Sequence, residues 1–392
     1  MLNTPFSPWP SFSQQEADAV SRVLLSNKVN YWTGQECREF EKEFATWSDS
    51  EYAVAVGNGT LALDLALKAL NVGDGDEVIV TPRTFLASVS SVVTAGATPV
   101  FADVDLNSQN IEASTIEAVI TPKTKAVIVV HLAGMPADMD PIMALAEKYG
   151  FYVIEDCAQA HGAKYKGRSV GSIGHIGAWS FCQDKIMTTG GEGGMVTTTD
   201  KNLWSLMWSY KDHGKSFDAI YNKQHPPGFR WLHESFGTNW RMTEMQAAIG
   251  RIQLQRMPQW TANRQANAKL IDNAVADLSI VRRVNVPDDV EHAEYKHYLF
   301  VKPEQLNEGW SRDRIVDEIV KQGVPAFQGS CSEVYKEKAF DGTGFRPKQA
   351  LPNAQQLGET SLMFLVHPTL TQVEIQKTCD VVRKVLLAAT KC

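Results

Sequence analysis

The sequence predicts an α/β fold with a mostly parallel central sheet, flanked by helices and followed by a smaller α+β domain. Short β-branched runs alternate with segments of helical periodicity along the first two thirds of the chain. Several of these runs are apolar throughout, as is typical of strands covered on both faces. Their strand, helix, strand order implies parallel pairing through right-handed crossovers.

The strand candidates of this first part can be read off in order. One helix is predicted before the first strand, at 13–25, and others between strands, at 60–70 and 140–150, where Gly150 has the position of a helix C-cap. The strand candidates are AVAV at 53–56, VIV at 78–80, PVFADV at 99–104, AVIVV at 126–130, FYVIED at 151–156 and GMVTTT at 194–199.

A change of pattern marks the second part. Thr243 and Gln246 have the spacing of a capping box, so a long helix is predicted from 243, and Pro258 predicts its end. Beyond it we expect a helix, shorter strands such as 297–301, and helices at 311–323 and 371–389. We therefore predict a large α/β domain over 1–258 and a small C-terminal α+β domain over 259–392.

Composition excludes several classes of protein. The 392 residues are 44% hydrophobic and 21% charged, which is an ordinary globular make-up for about two domains. A net charge of −7 offers no general attraction for nucleic acid or an anionic membrane. The six cysteines form no C-x-x-C pair, and no apolar run reaches the length of a membrane span. We expect a soluble cytoplasmic protein that binds neither nucleic acid nor membrane.

The segment VAVGNGTLAL at 54–63 predicts an anion site. A strand runs into Gly57, Asn58, Gly59 and Thr60, after which a helix begins. Free backbone N–H groups and the helix dipole would then point at one spot suited to a phosphate. The alternative is a simple turn with Thr60 as the N-cap.

The segment VIEDCAQAHGA at 153–163 places a carboxylate at the end of an apolar strand. Asp156 would need a cationic or N–H partner there to remain ionised. A metal with His161 as co-ligand is one candidate, but a single Asp/His pair lacks a full ligand set, so no metal is predicted. An exposed strand end with a satisfied histidine is the other interpretation.

The segment SFCQDKIMTTGGEGGMV at 180–196 contains one lysine, Lys185, before a glycine-rich run. Most lysines are solvated, but this one has a strand-end hydroxyl, Ser180, and four glycines beside it. A lysine close to a phosphate site and a buried aspartate can form a Schiff base with a cofactor aldehyde. Phe85, after the 78–80 strand, could stack on a heteroaromatic ring or belong to the core.

Taken together, these motifs resemble the DegT/DnrJ/EryC1/StrS sugar aminotransferases, which are pyridoxal-phosphate enzymes of fold type I. The resemblance covers nearly the whole chain. Besides the segments above, it rests on YWTGQECREFEKEFA at 31–45, HLAGMPADMD at 131–140, KDHG at 211–214, GTNWRMTEMQAAIGRIQL at 237–254 and SLMFLVHPTLT at 361–371.

The resemblance implies roles for the catalytic positions. Lys185 matches the lysine that forms the Schiff base with pyridoxal 5'-phosphate. Asp156 matches the carboxylate paired with the pyridine nitrogen, so that the ring can accept electrons. Gln159 matches the residue that hydrogen-bonds the phenolic oxygen of the cofactor.

The resemblance also implies how the rest of the cofactor is held. Phe85 matches the aromatic residue stacked on the ring, and Gly59, Thr60 and Ser180 match the phosphate cradle. Asn239 matches an asparagine that reaches the phosphate from the neighbouring subunit. We therefore expect a homodimer with shared active sites.

The implied reaction is a ping-pong transamination. The expected donor is L-glutamate, and the expected acceptor is a nucleotide-linked keto sugar, most often a 4-keto-6-deoxyhexose on UDP or dTDP. Such a product would enter surface polysaccharide or related amino-sugar biosynthesis. Two segments, 214–238 and 329–340, either face this substrate or are solvated loops.

Three other functions remain as alternatives. Sugar dehydratases of the same fold typically replace the Schiff-base lysine by histidine, whereas this chain has Lys185. A catalytically silent regulatory or binding homologue has no chemical need to retain Lys185, Asp156, Gln159 and Ser180 together. A nicotinamide oxidoreductase would require G-x-G-x-x-G after the first strand, and VGNGTLAL lacks that spacing.

Overall fold

The computed structural model describes residues 5–391 of the chain, and its helices alternate with strands along most of that length. The predicted helices near 13–25, 60–70, 140–150, 311–323 and 371–389 are all present. In chain order, α1 to α12 are Gln14–Leu25, Glu36–Trp47, Gly59–Ala69, Ala87–Thr94, Ala113–Glu117, Met139–Tyr149, Lys201–Tyr210, Phe217–Tyr221, Glu244–Ala274, Arg312–Lys321, Pro352–Thr360 and Gln372–Ala389.

The strands form one large sheet and two smaller ones. In chain order, β1 to β14 are Tyr52–Val56, Glu77–Val80, Thr98–Phe101, Thr124–Val130, Tyr152–Asp156, Lys164–Tyr165, Arg168–Ser169, Ile176–Ser180, Gly194–Thr198, Val281–Arg283, Val290–Glu291, His297–Val301, Ala326–Phe327 and Ser361–Phe364. The large sheet has the order β1-β9-β8-β5-β4-β2-β3, and the others are β10-β12-β14-β13 and β11-β6-β7.

The direction of the strands in the large sheet explains where the functional residues gather. Strands β8, β5, β4, β2 and β3 pair in parallel, while β9 runs antiparallel to both of its neighbours, β1 and β8. The carboxyl ends of β1, β2, β5 and β8 therefore lie at one edge. Loops that leave this edge bring residues distant in sequence into one crevice.

The long helix corrects one prediction. Pro258 does not end it, because α9 continues to Ala274 with the proline inside. A proline in a helix interior removes one backbone hydrogen bond and costs about 3 kcal/mol. Helix α9 packs against α1 and α2 before the proline and against α12 after it. This tertiary packing stabilises the helix more than the proline destabilises it.

Two large hydrophobic cores and a small cluster between α1 and α9 support these layers. The larger one surrounds the seven-stranded sheet. The second is built around β12, β14, α10 and α12, and it also contains Phe6 from the start of the chain. The division into domains at 258/259 stays a prediction. Within residues 5–391, no helix combines the length and apolar character needed to cross a membrane.

Candidate active site

A cavity of about 600 Å³ lies at the carboxyl edge of the large sheet. Seven of the eight residues predicted to bind the cofactor line it. They come from the start of α3, the loop after β2, the ends of β5 and β8, and the loop after β8. These residues are Gly59, Thr60, Phe85, Asp156, Gln159, Ser180 and Lys185.

One end of this cavity has the features of an anion site. The side chain of Asn58, the N-cap of α3, accepts the N–H of Leu61 at 2.9 Å, so the predicted alternative of Thr60 as N-cap is wrong. The first N–H groups of a helix have no partner within it. Gly59 begins this helix against Ser180, and a Cβ on Gly59 would lie 2.5 Å from the Cβ of Ser180. The glycine therefore permits the contact between α3 and the end of β8.

Asp156 is buried in the floor of the cavity, with 6% of its surface exposed. Its carboxylate accepts the hydroxyl of Ser88 at 2.8 Å and the N–H of Ala158 at 3.1 Å. Since Ser88 donates its single proton to Asp156, the Thr84 hydroxyl must donate to Ser88. Burial raises the pKa of Asp156, although these hydrogen bonds and the Lys185 charge oppose it. A cationic N–H donor in the cavity would favour the ionised carboxylate.

The neighbouring carboxylate, Glu155, has a structural role. It points to the opposite face of β5 and accepts backbone N–H groups from Gly171, Ile173 and Gly174 at 2.6–2.8 Å. His131 accepts the N–H of Ala137 at Nδ1 and so donates from Nε2 to Glu155 at 2.9 Å. Burial alone would raise the pKa of Glu155, but these donors lower it. Glu155, His131 and Cys157 lie close enough together to hold a metal ion. The ligand atoms of Glu155 and His131, however, are already engaged in the hydrogen bonds described above.

Lys185 lies at the mouth of the cavity and is held by three contacts. Its carbonyl oxygen accepts the indole N–H of Trp9 at 2.8 Å. Its Nζ lies 3.8 Å from a carboxylate oxygen of Asp184 and 5.5 Å from the ring centroid of Tyr295. The Tyr295 hydroxyl donates to Asp184 at 2.6 Å. Burial alone would raise the pKa of Asp184, but the Lys185 ammonium and the tyrosine hydroxyl hold it below its ordinary value.

Gln159 and Phe85 contribute an amide and a ring to the walls. The side-chain carbonyl of Gln159 accepts the N–H of Ala133 at 2.8 Å, which leaves its NH₂ group as the available donor. Phe85 is 71% exposed and lines the cavity, so the alternative of a core phenylalanine is wrong. An open face of an aromatic ring is suited to stacking on a planar ligand.

Asn239 lies elsewhere. It is exposed, and it is absent from the described walls of this cavity. The nearby segment 229–236 carries three exposed aromatic side chains, Phe229 at 78%, Trp231 at 81% and Phe236 at 100%. Thus Asn239 does not line the cavity of its own chain, although the carbonyl oxygen of the adjacent Trp240 accepts the N–H of Gly57 at 3.0 Å.

His161 is not a ligand of any charged group in the structure. Its ring packs against Trp179 and Phe181, with centroids 5.3 and 5.7 Å away. Neither ring nitrogen has a hydrogen-bond partner among the described residues. Burial lowers the pKa of His161 to about 3. The histidine is therefore a neutral core residue, and the alternative of an exposed strand end with a satisfied histidine is wrong.

Comparison with known proteins identifies the chain's relatives. A profile of the DegT/DnrJ/EryC1/StrS aminotransferase family matches residues 10–383. The chain belongs to this family. It is an aminotransferase, and its architecture is that of the fold type I enzymes, as the resemblance implied.

Individual members of the DegT/DnrJ/EryC1/StrS family are similar over nearly their full length. The structure of an aminotransferase from Psychrobacter cryohalolentis is 67% identical, with a TM-score of 0.97 over 98% of this chain and 100% of that one. A GDP-perosamine synthase from Caulobacter vibrioides is 37% identical, covering 96% of this chain and 97% of its own. A UDP-N-acetyl-3-dehydro-α-D-glucosamine 3-aminotransferase from Acidithiobacillus ferrooxidans is 36% identical, covering 94% and 92%.

Sequence reasoning missed several residues around Lys185 and Asp156. Trp9 and Tyr295 contact the Lys185 region from distant parts of the chain, and no local pattern indicates this. Ser88 is the second residue of α4, and no local pattern indicates that its hydroxyl donates to Asp156.

Proposed function

We propose that this aminotransferase moves the amino group of L-glutamate to a keto sugar carried on a nucleotide. One observation carries the proposal: a partly enclosed lysine, Lys185, and a buried aspartate, Asp156, line the same cavity as a helix N-terminus. This combination provides a proton carrier, an anionic partner for a cationic nitrogen, and a phosphate site.

Pyridoxal 5'-phosphate is the cofactor of this enzyme. The residues present fit it. The buried carboxylate of Asp156 has only neutral hydrogen-bond donors and would gain a cationic N–H partner, and the close contact of Gly59 with Ser180 leaves backbone N–H groups beside a hydroxyl. When bound, the cofactor carries the amino group between the two substrates and accepts the electron pair released at the donor's α-carbon.

We assign the proton transfers to Lys185. Its Nζ would hold the cofactor between turnovers and, once released, would take the α-proton of the donor and deliver it to the cofactor carbon that keeps the amino group. Asp184 and Tyr295, which contact this side chain, would keep the free amine at the mouth of the cavity. Asp156 would keep a proton on the pyridine nitrogen.

The remaining predicted residues would orient the ring. Gln159 would donate its free NH₂ group to the phenolic oxygen, since its carbonyl is already engaged by Ala133. Phe85 would cover one face of the ring. Gly59, Thr60 and Ser180 would bind the phosphate through N–H and hydroxyl donors.

We propose that the active site is completed in a homodimer. Asn239 would reach the phosphate in the partner's cavity, because it is exposed and lies outside its own. The aromatic side chains of 229–236 are exposed to an extent that is unusual for apolar groups, which supports their being covered by a second chain.

The acceptor would enter through a second cavity of about 710 Å³ that shares Phe85, Gln159 and Lys185 with the first. Gly329, Ser330 and Cys331 line it, which supports the prediction that the segment 329–340 faces the substrate. Two of the relatives described above are named for GDP- and UDP-linked sugars, so GDP sugars join the UDP and dTDP sugars as candidates. We further propose that the enzyme is cytoplasmic and makes amino sugars for surface polysaccharide.

The function can be tested with purified protein, pyridoxal 5'-phosphate, L-glutamate and a panel of nucleotide keto sugars. We expect 2-oxoglutarate and one amino sugar, which mass spectrometry would detect and NMR would assign to C3 or C4. A product that has lost water without gaining nitrogen would instead indicate a dehydratase. If the fully cofactor-loaded enzyme transaminated none of the nucleotide keto sugars, that result would contradict the proposal.

A further inference from the structure

The second cavity contains a lysine that the reaction described above does not use. Lys296 precedes β12 and lines this cavity together with Lys185 and Tyr295. Its Nζ lies 4.8 Å from the centroid of the Tyr295 ring, and the Nζ of Lys185 lies 5.5 Å from the same centroid. The two ammonium groups are therefore no more than about 10 Å apart.

Lys296 has no anionic partner in the protein. Among residues 5–391 it forms no hydrogen bond or ion pair, although most lysines of the chain are exposed or paired with a carboxylate. Asp184, whose charge acts on Lys296, already accepts the Tyr295 hydroxyl and faces Lys185. The Tyr295 ring offers a cation–π contact, but no anion or hydrogen-bond acceptor replaces the water that the partly buried ammonium has lost.

A second cation lies behind it. Arg264 is 1% exposed, and its Nε and one terminal nitrogen lack partners among the described residues. Its other terminal nitrogen makes only long contacts, 3.3 and 3.4 Å, to the carbonyl oxygens of Tyr295 and Glu294. Arg264 does not line the cavity itself, whose charged lining residues are two lysines, Lys185 and Lys296, and one carboxylate, Asp184, and this balance favours an anionic ligand.

We propose that Lys296 binds an anionic oxygen group of the substrate, either a carboxylate of the amino donor or the diphosphate of the nucleotide sugar. The proposal rests on the proposed function, because it assigns a further contact to the same two substrates. Both groups lie within several ångströms of the reacting atoms in their molecules, which is compatible with a separation of no more than about 10 Å between Lys296 and Lys185. A ping-pong enzyme also uses one site for both substrates in turn.

The ionisation of Lys296 agrees with this geometry. Burial and the nearby charges of Arg264 and Lys185 lower its pKa to about 8. An anion bound at Nζ would offset that desolvation and stabilise the ammonium form. Charge-assisted hydrogen bonds to carboxylate or phosphate are roughly twice as strong as neutral ones, so a single contact is measurable.

The test compares Lys296→Met with wild-type protein and with a matched control, Lys123→Met, whose lysine is exposed. The methionine keeps the length of the side chain and removes the charge. Initial rates with each substrate varied in turn would give separate KM values. We expect a rise of roughly tenfold or more in at least one KM for Lys296→Met and none for the control. Lys296→Arg should recover part of the loss.

The pattern of KM values identifies the group that is bound. A change for L-glutamate alone would assign the carboxylate, a change for the nucleotide sugar alone would assign the diphosphate, and a change in both would assign a shared contact. Unchanged KM values in a folded, cofactor-loaded variant would overturn the proposal.

Binding without turnover separates this inference from the proposed function. Calorimetry can titrate glutarate and inorganic pyrophosphate into wild-type protein, Lys296→Met and Lys123→Met. We expect at least one probe to bind wild type and the control about tenfold or more tighter than Lys296→Met. Equal binding to all three proteins, or no binding to any, would overturn the subsite even if the enzyme transaminates. Selective binding together with absent transamination would instead contradict the proposed function alone.

Discussion

Replacing Gly59 by alanine tests the proposed phosphate cradle at its closest contact. A methyl group on Gly59 would lie 2.5 Å from the Cβ, 2.9 Å from the Oγ and 3.0 Å from the Cα of Ser180. Carbon atoms in proteins pack at about 3.5–4.0 Å, so α3 and the end of β8 would have to separate by roughly 1 Å. The backbone N–H of Gly59 and the hydroxyl of Ser180, which are both proposed to bind the phosphate, would move as a result.

The size of the effect follows from this overlap. Extra methyl groups in well-packed regions cost about 1–3 kcal/mol. If the strain is relieved by displacing Ser180 from the phosphate, cofactor affinity should fall about ten- to hundredfold. Alanine is compatible with a first helical turn, so α3 itself should persist.

The assay is a titration of the cofactor-free protein with pyridoxal 5'-phosphate, followed by absorbance. Gly57→Ala is the matched control, because its methyl group would lie 3.5 Å from the nearest atom, a carbon of the Leu61 side chain. We expect near-normal affinity for Gly57→Ala and the predicted loss for Gly59→Ala, with the cofactor-free Gly59→Ala protein unfolding only about a few degrees lower than the control. Equal affinities for both variants would refute the reasoning.

Three further predictions concern charge and assembly. Asp156→Asn should lower kcat by about a hundredfold or more while retaining cofactor, because a neutral amide does not hold the pyridine nitrogen protonated; an unchanged kcat would exclude that role. His297 faces Asp272 at 3.1 Å and Glu294 at 3.3 Å, and although burial lowers its pKa, these carboxylates raise it to about 10. Protonated His297 should therefore stabilise the fold fully below about pH 6.5, and this stabilisation should be lost as the pH rises through about 10. Urea unfolding should show that the difference in the free energy of unfolding between wild type and His297→Gln shrinks over that range. A difference that stays constant would contradict this. Finally, Lys185→Ala mixed with Asn239→Trp should regain activity in heterodimers if sites are shared, whereas confirmed subunit exchange without recovery would argue that Asn239 serves its own chain or no cofactor.

Much of the site was predictable because strand direction gathers the ends of parallel strands. Asp156 ends β5, Ser180 ends β8, and Gly59 begins the helix after β1. Once the strands were predicted to be parallel, these residues were expected at one edge of the sheet. The apolar runs that identified the strands depend only on local sequence, so they could be read directly.

Features that depend on long-range packing could not be read in the same way. The continuation of α9 through Pro258 depends on helices α1, α2 and α12, whose contacts no local pattern reveals. Trp9 reaches Lys185 across 176 residues, and the local sequence around either residue gives no sign of the contact. Lys296 resembles any other lysine until the fold places it in one cavity with Lys185 and without a carboxylate partner.

The central claim is that Lys185 is the residue that holds the cofactor, and one measurement tests it directly. Purified enzyme loaded with pyridoxal 5'-phosphate would be reduced with borohydride, digested and mapped by mass spectrometry. We predict a pyridoxyl group on Lys185, because that lysine lines the same cavity as Asp156, Phe85 and the start of α3. Lys296 is the informative alternative, since it is near Lys185 but lines only the second cavity. Recovery of the label on Lys296, or on any lysine other than Lys185, would contradict the account.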